Sequence, residues 1–252
     1  MSTMMMTMMT FFNSYFRHSN DICCGACVRG EKHIKLRKPN QDAMLIKYTR
    51  YGTIITVADG VGSLKKSHYA SKAIAKATAK SFVLFEKGKI ARKEITKTIN
   101  EIFRQKLRRK YHSSAATTCI FVVLSNLHGL FAGQVGDGMC YVSLNDEKVI
   151  LKKKVDEFLN TADAISPLDN KVHWTTKHFD ISDDDRIKVM MATDGVSETI
   201  IPGMENECLE YYLEEVKDVS KYKRDSVIKN HLTNWNVKAS TDDKTMIIFS
   251  RG

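Results

Sequence analysis

Three short motifs, widely separated in the chain, each place an aspartate beside an apolar run of strand length. Asp59 and Asp194 come at the ends of two such runs, and Asp242 comes just before a third. A charged group at the mouth of a buried strand is costly unless something positive compensates it. Three carboxylates that converge from distant positions could bind hard divalent cations through their oxygens. The pattern therefore predicts a metal site at the ends of buried strands.

Length and composition favour one large folded domain. The chain has 252 residues, of which 43% are hydrophobic and three are proline, which is enough to bury a sizeable core. We predict a domain at residues 21–252, preceded by a Met-rich tail at residues 1–20. The tail is too short to span a bilayer, lacks a basic region ahead of it and shows no cleavage site. Because no other stretch is apolar enough for a transmembrane helix, we expect a cytoplasmic protein.

The chain is basic, with 39 Lys and Arg against 29 Asp and Glu and a net charge of +10. Such a balance favours acidic partners, namely nucleic acid, an anionic membrane or a phosphorylated protein. The basic residues are scattered, with local clusters at residues 106–110 and 152–154, and no nucleic-acid-binding signature accompanies them. We therefore predict no nucleic-acid function. An adaptor that binds nucleic acid or membrane through residues 106–110 and the tail stays open as a lesser alternative.

Six cysteines include one Cys-x-x-Cys spacing, at Cys24 and Cys27. This spacing occurs in zinc and redox sites, but a zinc site needs a second Cys or His pair, and none follows at a suitable distance. Reduced, structural cysteines in a cytosolic protein are the favoured interpretation.

Hydrophobic periodicity predicts an α+β protein. Strand-like runs occupy residues 43–48, 53–58, 118–124, 129–133, 139–142, 148–151, 187–192 and 245–250. Helical periodicity occupies residues 67–86, 91–109, 205–219 and 224–235. Consecutive strands joined by short turns indicate antiparallel sheets, with helices that cover their outer faces.

Six motifs, in order, carry a resemblance to a known family. They are Arg37 with Asn40-Gln41-Asp42-Ala43, Asp59-Gly60-Val61-Gly62, Ala116-Thr117-Thr118-Cys119, Val135-Gly136-Asp137-Gly138, Ala192-Thr193-Asp194-Gly195-Val196-Ser197-Glu198, and Asp242-Asp243-Lys244-Thr245. Together they resemble the PP2C-like (PPM) metal-dependent protein phosphatases, and the compact length resembles the bacterial branch. The resemblance implies that residues 21–252 form a PP2C-like domain. Its fold would be a four-layer α/β/β/α sandwich of two antiparallel sheets flanked by helix pairs, with the metal site at one end.

The resemblance also implies a role for each acidic residue. Asp59 would bridge two metal ions, Asp194 and Asp242 would complete the first site, and Gly60 would bind the second ion through its carbonyl oxygen. Asp42 would hold water molecules on the second ion. Hard Mg²⁺ or Mn²⁺ suits such an oxygen-rich set of ligands.

Other positions are more ambiguous. Asp137 and Glu198 would suit a third ion, but Asp137 could serve only a tight turn and Glu198 could cap or solvate the segment after it. Arg37 would grip the substrate phosphate with its guanidinium fork, or be one more exposed basic residue. We expect His33 to lie on the surface, with a role as proton donor as the alternative. Eukaryotic relatives carry a histidine where this chain has Val61, so the acid that protonates the leaving group is unassigned.

The function implied is a metal-dependent protein phosphatase that hydrolyses phosphoserine and phosphothreonine with a water that bridges two Mg²⁺ or Mn²⁺ ions. Its substrate would be a phosphorylated protein that is the target of a partner kinase. We expect the phosphatase to be a monomer. The alternative is a catalytically weak or inactive PP2C-like module that binds phosphoproteins without cleaving them.

Overall fold

The computed structural model describes residues 21–151, 164–169, 171–235 and 241–252. The Met-rich tail at residues 1–20 lies outside the described residues, so the proposed domain boundary stays a prediction. No helix in the described part of the chain is long and apolar enough to cross a membrane.

The described residues form two five-stranded sheets in which every pair of neighbouring strands is antiparallel. The strands are β1 (Ile22–Val28), β2 (Ala43–Thr49), β3 (Gly52–Ala58), β4 (Cys119–Ser125), β5 (Gly129–Val135), β6 (Met139–Leu144), β7 (Glu147–Leu151), β8 (Thr175–Phe179), β9 (Ile187–Ala192) and β10 (Lys244–Arg251). One sheet has the order β1-β10-β9-β6-β7, and the other has the order β2-β3-β4-β5-β8. We call them the β10 sheet and the β3 sheet.

The central strands are buried on both faces, because each sheet packs against the other sheet and against helices. In β3, Ile55 and Val57 belong to the core between the sheets, whereas Ile54 belongs to the core beneath the helices. In β10, Ile247 points between the sheets and Ile248 points to the helical layer. Side chains alternate along a strand, so burial of both faces requires an unbroken apolar run. This explains the apolar runs in the sequence.

Helices cover the outer face of each sheet. The helices are α1 (Glu31–Lys35), α2 (Ser67–Glu86), α3 (Ile95–Lys106), α4 (Asp194–Ser197), α5 (Glu205–Lys217) and α6 (Lys221–Thr233), with 3₁₀ turns at Arg92–Glu94 and Arg109–Ser114. α2 and α3 share a core with the β3 sheet, and α5 and α6 share one with the β10 sheet. The α/β/β/α sandwich predicted from the sequence is confirmed.

The hydrophobic pattern of the sequence does not predict two of the strands, β1 and β8. β1 contains Cys23, Cys24 and Cys27 and pairs with β10, where Cys24 lies opposite Ile248 and is fully buried. β8 is a polar edge strand that pairs with β5. All six cysteines are free thiols. The Cys-x-x-Cys spacing is therefore part of a strand of the core and forms no metal site with other described residues.

The core between the sheets generates a stability prediction. Phe249 is fully buried there, and we expect Phe249→Ala to lower the free energy of unfolding by about 3–5 kcal/mol because it removes apolar contacts and leaves a cavity. Leu127 is 73% exposed, so Leu127→Ala is the control and should change stability by less than about 0.5 kcal/mol. Urea unfolding measures both. Equal effects of the two changes would contradict the described core.

Candidate metal centre

Asp42 and Asp59 lie at the same end of the β3 sheet. Asp42 precedes β2, Asp59 follows β3, and the two strands pair with Ala43 opposite Ala58. The antiparallel register therefore places the two aspartates side by side. The backbone N–H of Asp59 donates a hydrogen bond to Oγ1 of Thr118 at 2.9 Å, which fixes the Asp59 backbone against the segment that leads into β4.

Asp194 and Asp242 lie at the corresponding end of the β10 sheet. Asp242 comes shortly before β10, Asp194 comes shortly after β9, and Met246 of β10 lies opposite Ala192 of β9. Oδ1 of Asp194 accepts a hydrogen bond from the N–H of Gly195 at 2.7 Å.

Hydrogen bonds to Asp42 connect this end of the two sheets. The hydroxyl of Thr193, which follows β9, donates to Oδ2 of Asp42 at 2.8 Å, and the hydroxyl of Thr245 in β10 donates to the same atom at 2.7 Å. Asp42 is 2% exposed. Its other oxygen, Oδ1, is buried and has no hydrogen-bond partner among the residues that the structure describes. Such an atom is costly in a folded protein unless it binds something further.

The aspartates share an environment that disfavours negative charge. Burial is the main cause that raises the pKa of Asp42, and burial followed by the charge of Asp42 raises the pKa of Asp59 well above the ordinary range. Burial, followed by the charge of Asp137, raises the pKa of Asp194 to about 6. The charges of Asp242 and Glu198 also raise the pKa of Asp194. The structure therefore brings the predicted acidic residues into one cluster of mutually repelling carboxylates.

Little positive charge from the protein compensates this cluster. Asp42, Asp59 and Asp194 form no ion pair with any other described residue, whereas Asp242 lies 3.6 Å from Nζ of Lys32. The carboxylates of Asp59, Asp194 and Asp242 do not all lie within 4.8 Å of one another in this conformation. Their side chains would have to close on a cation that binds between them.

A second acidic group lies beside Asp242. His33, Asp242 and Asp243 offer ligand atoms that all lie within 4.8 Å of one another. Oδ1 of Asp243 accepts a hydrogen bond from the N–H of Gly30 at 2.8 Å, and its Oδ2 accepts hydrogen bonds from the N–H of Gln41 at 2.6 Å and from Nδ1 of His33 at 2.7 Å. Because these bonds occupy the Asp243 carboxylate, the group is better suited to hold the chain around Asp42 and Asp242 than to bind an ion.

The expectation that His33 lies on the surface is wrong. His33 is 3% exposed, and it is buried because its ring bonds to Asp243, which is also buried. The partner lies 210 residues away in the chain, so local sequence around His33 contains no sign of it.

Two glycines of the motifs allow close approach of the backbone. A Cβ atom on Gly60 would lie 2.8 Å from the carbonyl oxygen of Gln41, and one on Gly195 would lie 2.0 Å from the carbonyl oxygen of Asp243. A side chain at either position would push apart segments that carry the aspartates.

Three predicted residues lie at the exposed rim. Asp137 is exposed, in a tight turn between Gly136 and Gly138, which both have positive φ angles of 89° and 93°. Glu198 is exposed just after α4. Arg37 is exposed after α1 and has a φ of 52°, and its side chain bonds no other described residue. The structure does not test the roles predicted for these three residues.

Sequence reasoning assigned no role to three threonines of the motifs, yet the structure shows that they bond the aspartates. Thr193 and Thr245 hold Asp42, and Thr117 donates its hydroxyl to the carbonyl oxygen of Asp59 at 2.8 Å. Each threonine lies within one of the acidic motifs or within the Thr-Thr motif. The repeated occurrence of threonine near aspartate in these motifs is the sequence signal that could have indicated these hydrogen bonds.

Comparison with known proteins gives one family. The model of the Protein phosphatase 2C family matches residues 29–235. No curated protein sequence matches the chain.

Several solved structures share the fold. The PPM Ser-Thr phosphatase MsPP of Mycobacterium smegmatis, in complex with cacodylate, has a TM-score of 0.63 and 15% identity, over 92% of this chain and 98% of that chain. The serine/threonine phosphatase PstP/Ppp of Mycobacterium tuberculosis has a TM-score of 0.58 and 16% identity, over 92% and 98%. RsbX in complex with magnesium has a TM-score of 0.56 and 16% identity, over 93% and 97%. At these identities the likeness concerns the fold alone.

The raised pKa of Asp194 generates a prediction about pH. Between about pH 4, where an unfolded aspartate loses its proton, and about pH 6, the folded protein retains a proton that the unfolded chain has lost. Stability of the metal-free protein should therefore fall as pH rises through this range. We expect Asp194→Asn to remove that part of the fall, so that its stability relative to wild type increases with pH.

Urea unfolding in a chelator, from about pH 4 to about pH 7, measures this difference. Asp218→Asn, at an exposed position, is the matched control and should keep the wild-type pH profile. A difference between wild type and Asp194→Asn that stays constant with pH would contradict the assigned environment.

Proposed function

The chain belongs to the protein phosphatase 2C family, and from that premise we propose that it is a metal-dependent protein phosphatase for phosphoserine and phosphothreonine. The observation that carries the proposal is the set of three carboxylates, Asp42, Asp59 and Asp194, that are wholly or partly buried and have no ion pair with a described residue. Removal of charges from water is unfavourable unless a cation compensates them. A cation bound from solution would do so.

The donor atoms fit hard divalent ions. The cluster consists of carboxylate oxygens, and one of them, the buried Oδ1 of Asp42, has no hydrogen-bond partner in the described part of the chain. Mg²⁺ and Mn²⁺ prefer oxygen ligands. We propose two ions held by Asp59, Asp194 and Asp242 with the carbonyl of Gly60. The exposed carboxylates of Asp137 and Glu198 would hold a third.

Phosphate monoesters are very inert, and water is a weak nucleophile at neutral pH. When bound, the divalent ions supply the activation of water and neutralise charge on the phosphate. The chain itself must orient the reactants. Asp42, fixed by two threonine hydroxyls at Oδ2, would orient water at Oδ1. The guanidinium of Arg37 bonds no other described residue, and would bind two oxygens of the substrate phosphate.

The remaining parts of the proposal concern the setting of the reaction. The substrate would be a phosphorylated protein that a partner kinase modifies, and the enzyme would act as a cytoplasmic monomer without nucleic acid. The basic net charge of +10 supports an anionic partner.

The proposal predicts hydrolysis that depends on metal and on the clustered aspartates. We expect the purified protein to hydrolyse p-nitrophenyl phosphate and phosphoserine peptides with Mn²⁺, and to lose the activity in a chelator. Asp59→Asn and Asp194→Asn should each lower kcat/KM by more than about 100-fold, since each removes a proposed metal ligand. Asp218→Asn is the matched control and should retain activity. Steady-state kinetics with circular dichroism as a check of folding measure this.

The inactive binding module gives a different result. In that case calorimetry would detect Mn²⁺ binding that Asp59→Asn abolishes, while phosphoserine, phosphothreonine and phosphotyrosine peptides would all stay intact. Normal turnover by both aspartate variants would remove the metal-dependent proposal altogether.

A further inference from the structure

A basic groove lies between α2 and the end of α3, on the outer face of the β3 sheet. The groove has a volume of about 410 Å³. Its lining residues are Tyr69, Lys72, Ala73, Lys76, Lys106, Leu107, Arg108 and Tyr111. Ala73 and Leu107 are 8% and 4% exposed and form an apolar floor. The four cationic residues are exposed around it.

The cationic side chains of the groove lack acidic partners. Lys72 and Lys76 lie one turn apart on α2, while Lys106 and Arg108 lie at the end of α3 and just beyond it. None of the four forms an ion pair with a described residue, and no acidic residue lines the groove. Like charges that face one another are unfavourable unless an anion lies between them. The groove therefore has the charge of an anion-binding surface.

Two tyrosines close one end of the groove. The rings of Tyr69 and Tyr111 stack with centroids 4.9 Å apart and an angle of 10°. Nζ of Lys66 and Nζ of Lys110 lie 5.6 Å and 5.3 Å from the centroid of the Tyr111 ring. Two further cations thus lie at this end, and Tyr69 is 43% exposed there, so that part of its ring can contact a bound chain.

The tyrosine end of the groove is next to the candidate metal centre. α2 begins at Ser67, two residues before Tyr69, and a Cβ atom on Gly60 would lie 2.8 Å from Ser67. The backbone N–H of Val61 donates to the carbonyl oxygen of Ala116 at 3.0 Å, in the segment that follows the Tyr111 turn. The loop that carries Asp59 and Gly60 is therefore packed against the first turn of α2, the turn that contains Tyr69 of the groove.

We propose that this groove binds an acidic segment of the phosphoprotein substrate, beside the phosphorylated residue that enters the metal centre. This inference rests on the proposed function. The positive charge of the groove complements Asp and Glu side chains. Because the groove is close to the loop of Asp59, one extended peptide could occupy the groove and the metal centre together. A short groove with an apolar floor suits a peptide better than a nucleic-acid duplex, which requires cations distributed along a long surface.

Peptides that differ only in charge test the proposal. We expect wild type to have a lower KM for a phosphoserine peptide with a run of Glu beside the phosphoserine than for the same peptide with Gln. The double change Lys72→Glu and Lys76→Glu should raise KM for the Glu peptide roughly tenfold, with kcat unchanged. Hydrolysis of the Gln peptide and of p-nitrophenyl phosphate should not change. The double change Lys80→Glu and Lys87→Glu, at exposed positions outside the groove, alters the net charge equally and is the matched control.

Binding without turnover separates this inference from the proposed function. Fluorescence anisotropy with a labelled, unphosphorylated Glu peptide should show weaker binding to the groove double variant, with little change for the control double variant. If wild type binds this peptide through the groove but hydrolyses no phosphopeptide, the docking surface stands and the proposed function fails.

Three results would overturn the docking surface. One is equal affinity of wild type for the Glu and Gln peptides. Another is an equal loss of binding in the groove double variant and in the control double variant, which would indicate a general effect of net charge. The last is a DNA duplex that displaces the Glu peptide from the groove at about 0.15 M salt, which would assign the surface to nucleic acid.

Discussion

The buried carboxylate of Asp42 connects the two halves of the sandwich at the end where the acidic motifs converge. It belongs to the β3 sheet, yet both of its hydroxyl donors, Thr193 and Thr245, belong to the segments of the β10 sheet. The packing of apolar side chains between the sheets sets their separation, but it is tolerant of small shifts. Directional hydrogen bonds to one buried atom fix the relative position of the sheets at the candidate site.

The same region accumulates negative charge that the fold does not neutralise. Burial and mutual repulsion raise the pKa of Asp59 and of Asp194, and the carboxylates of Asp59, Asp194 and Asp242 do not all lie within 4.8 Å of one another in the described structure. The rest of the fold thus holds an unfavourable arrangement in place, which is typical of functional sites. On the proposed function, a divalent ion would relieve it.

Much of the fold could be predicted from the sequence because the central strands are buried on both faces, so their apolar runs stand out. The edge strands β1 and β8 were missed because the first is rich in cysteine and glycine and the second is polar. The acidic motifs could be found because each follows or precedes an apolar run. His33 was placed wrongly on the surface because burial there depends on Asp243, at the other end of the chain. The distances between the aspartates could not be predicted from the sequence either, because they depend on how the two sheets pack against each other.

The position of β10 affects how the protein forms during synthesis. β10 follows every other described strand in the chain, yet it lies between β1 and β9 in its sheet. Until the ribosome has released β10, β1 has no neighbour to pair with, and Asp42 lacks the hydroxyl of Thr245. The β3 sheet, whose strands all come earlier, can assemble first. The acidic centre therefore completes its hydrogen bonds only after β10 has been made, later than the strands of the β3 sheet.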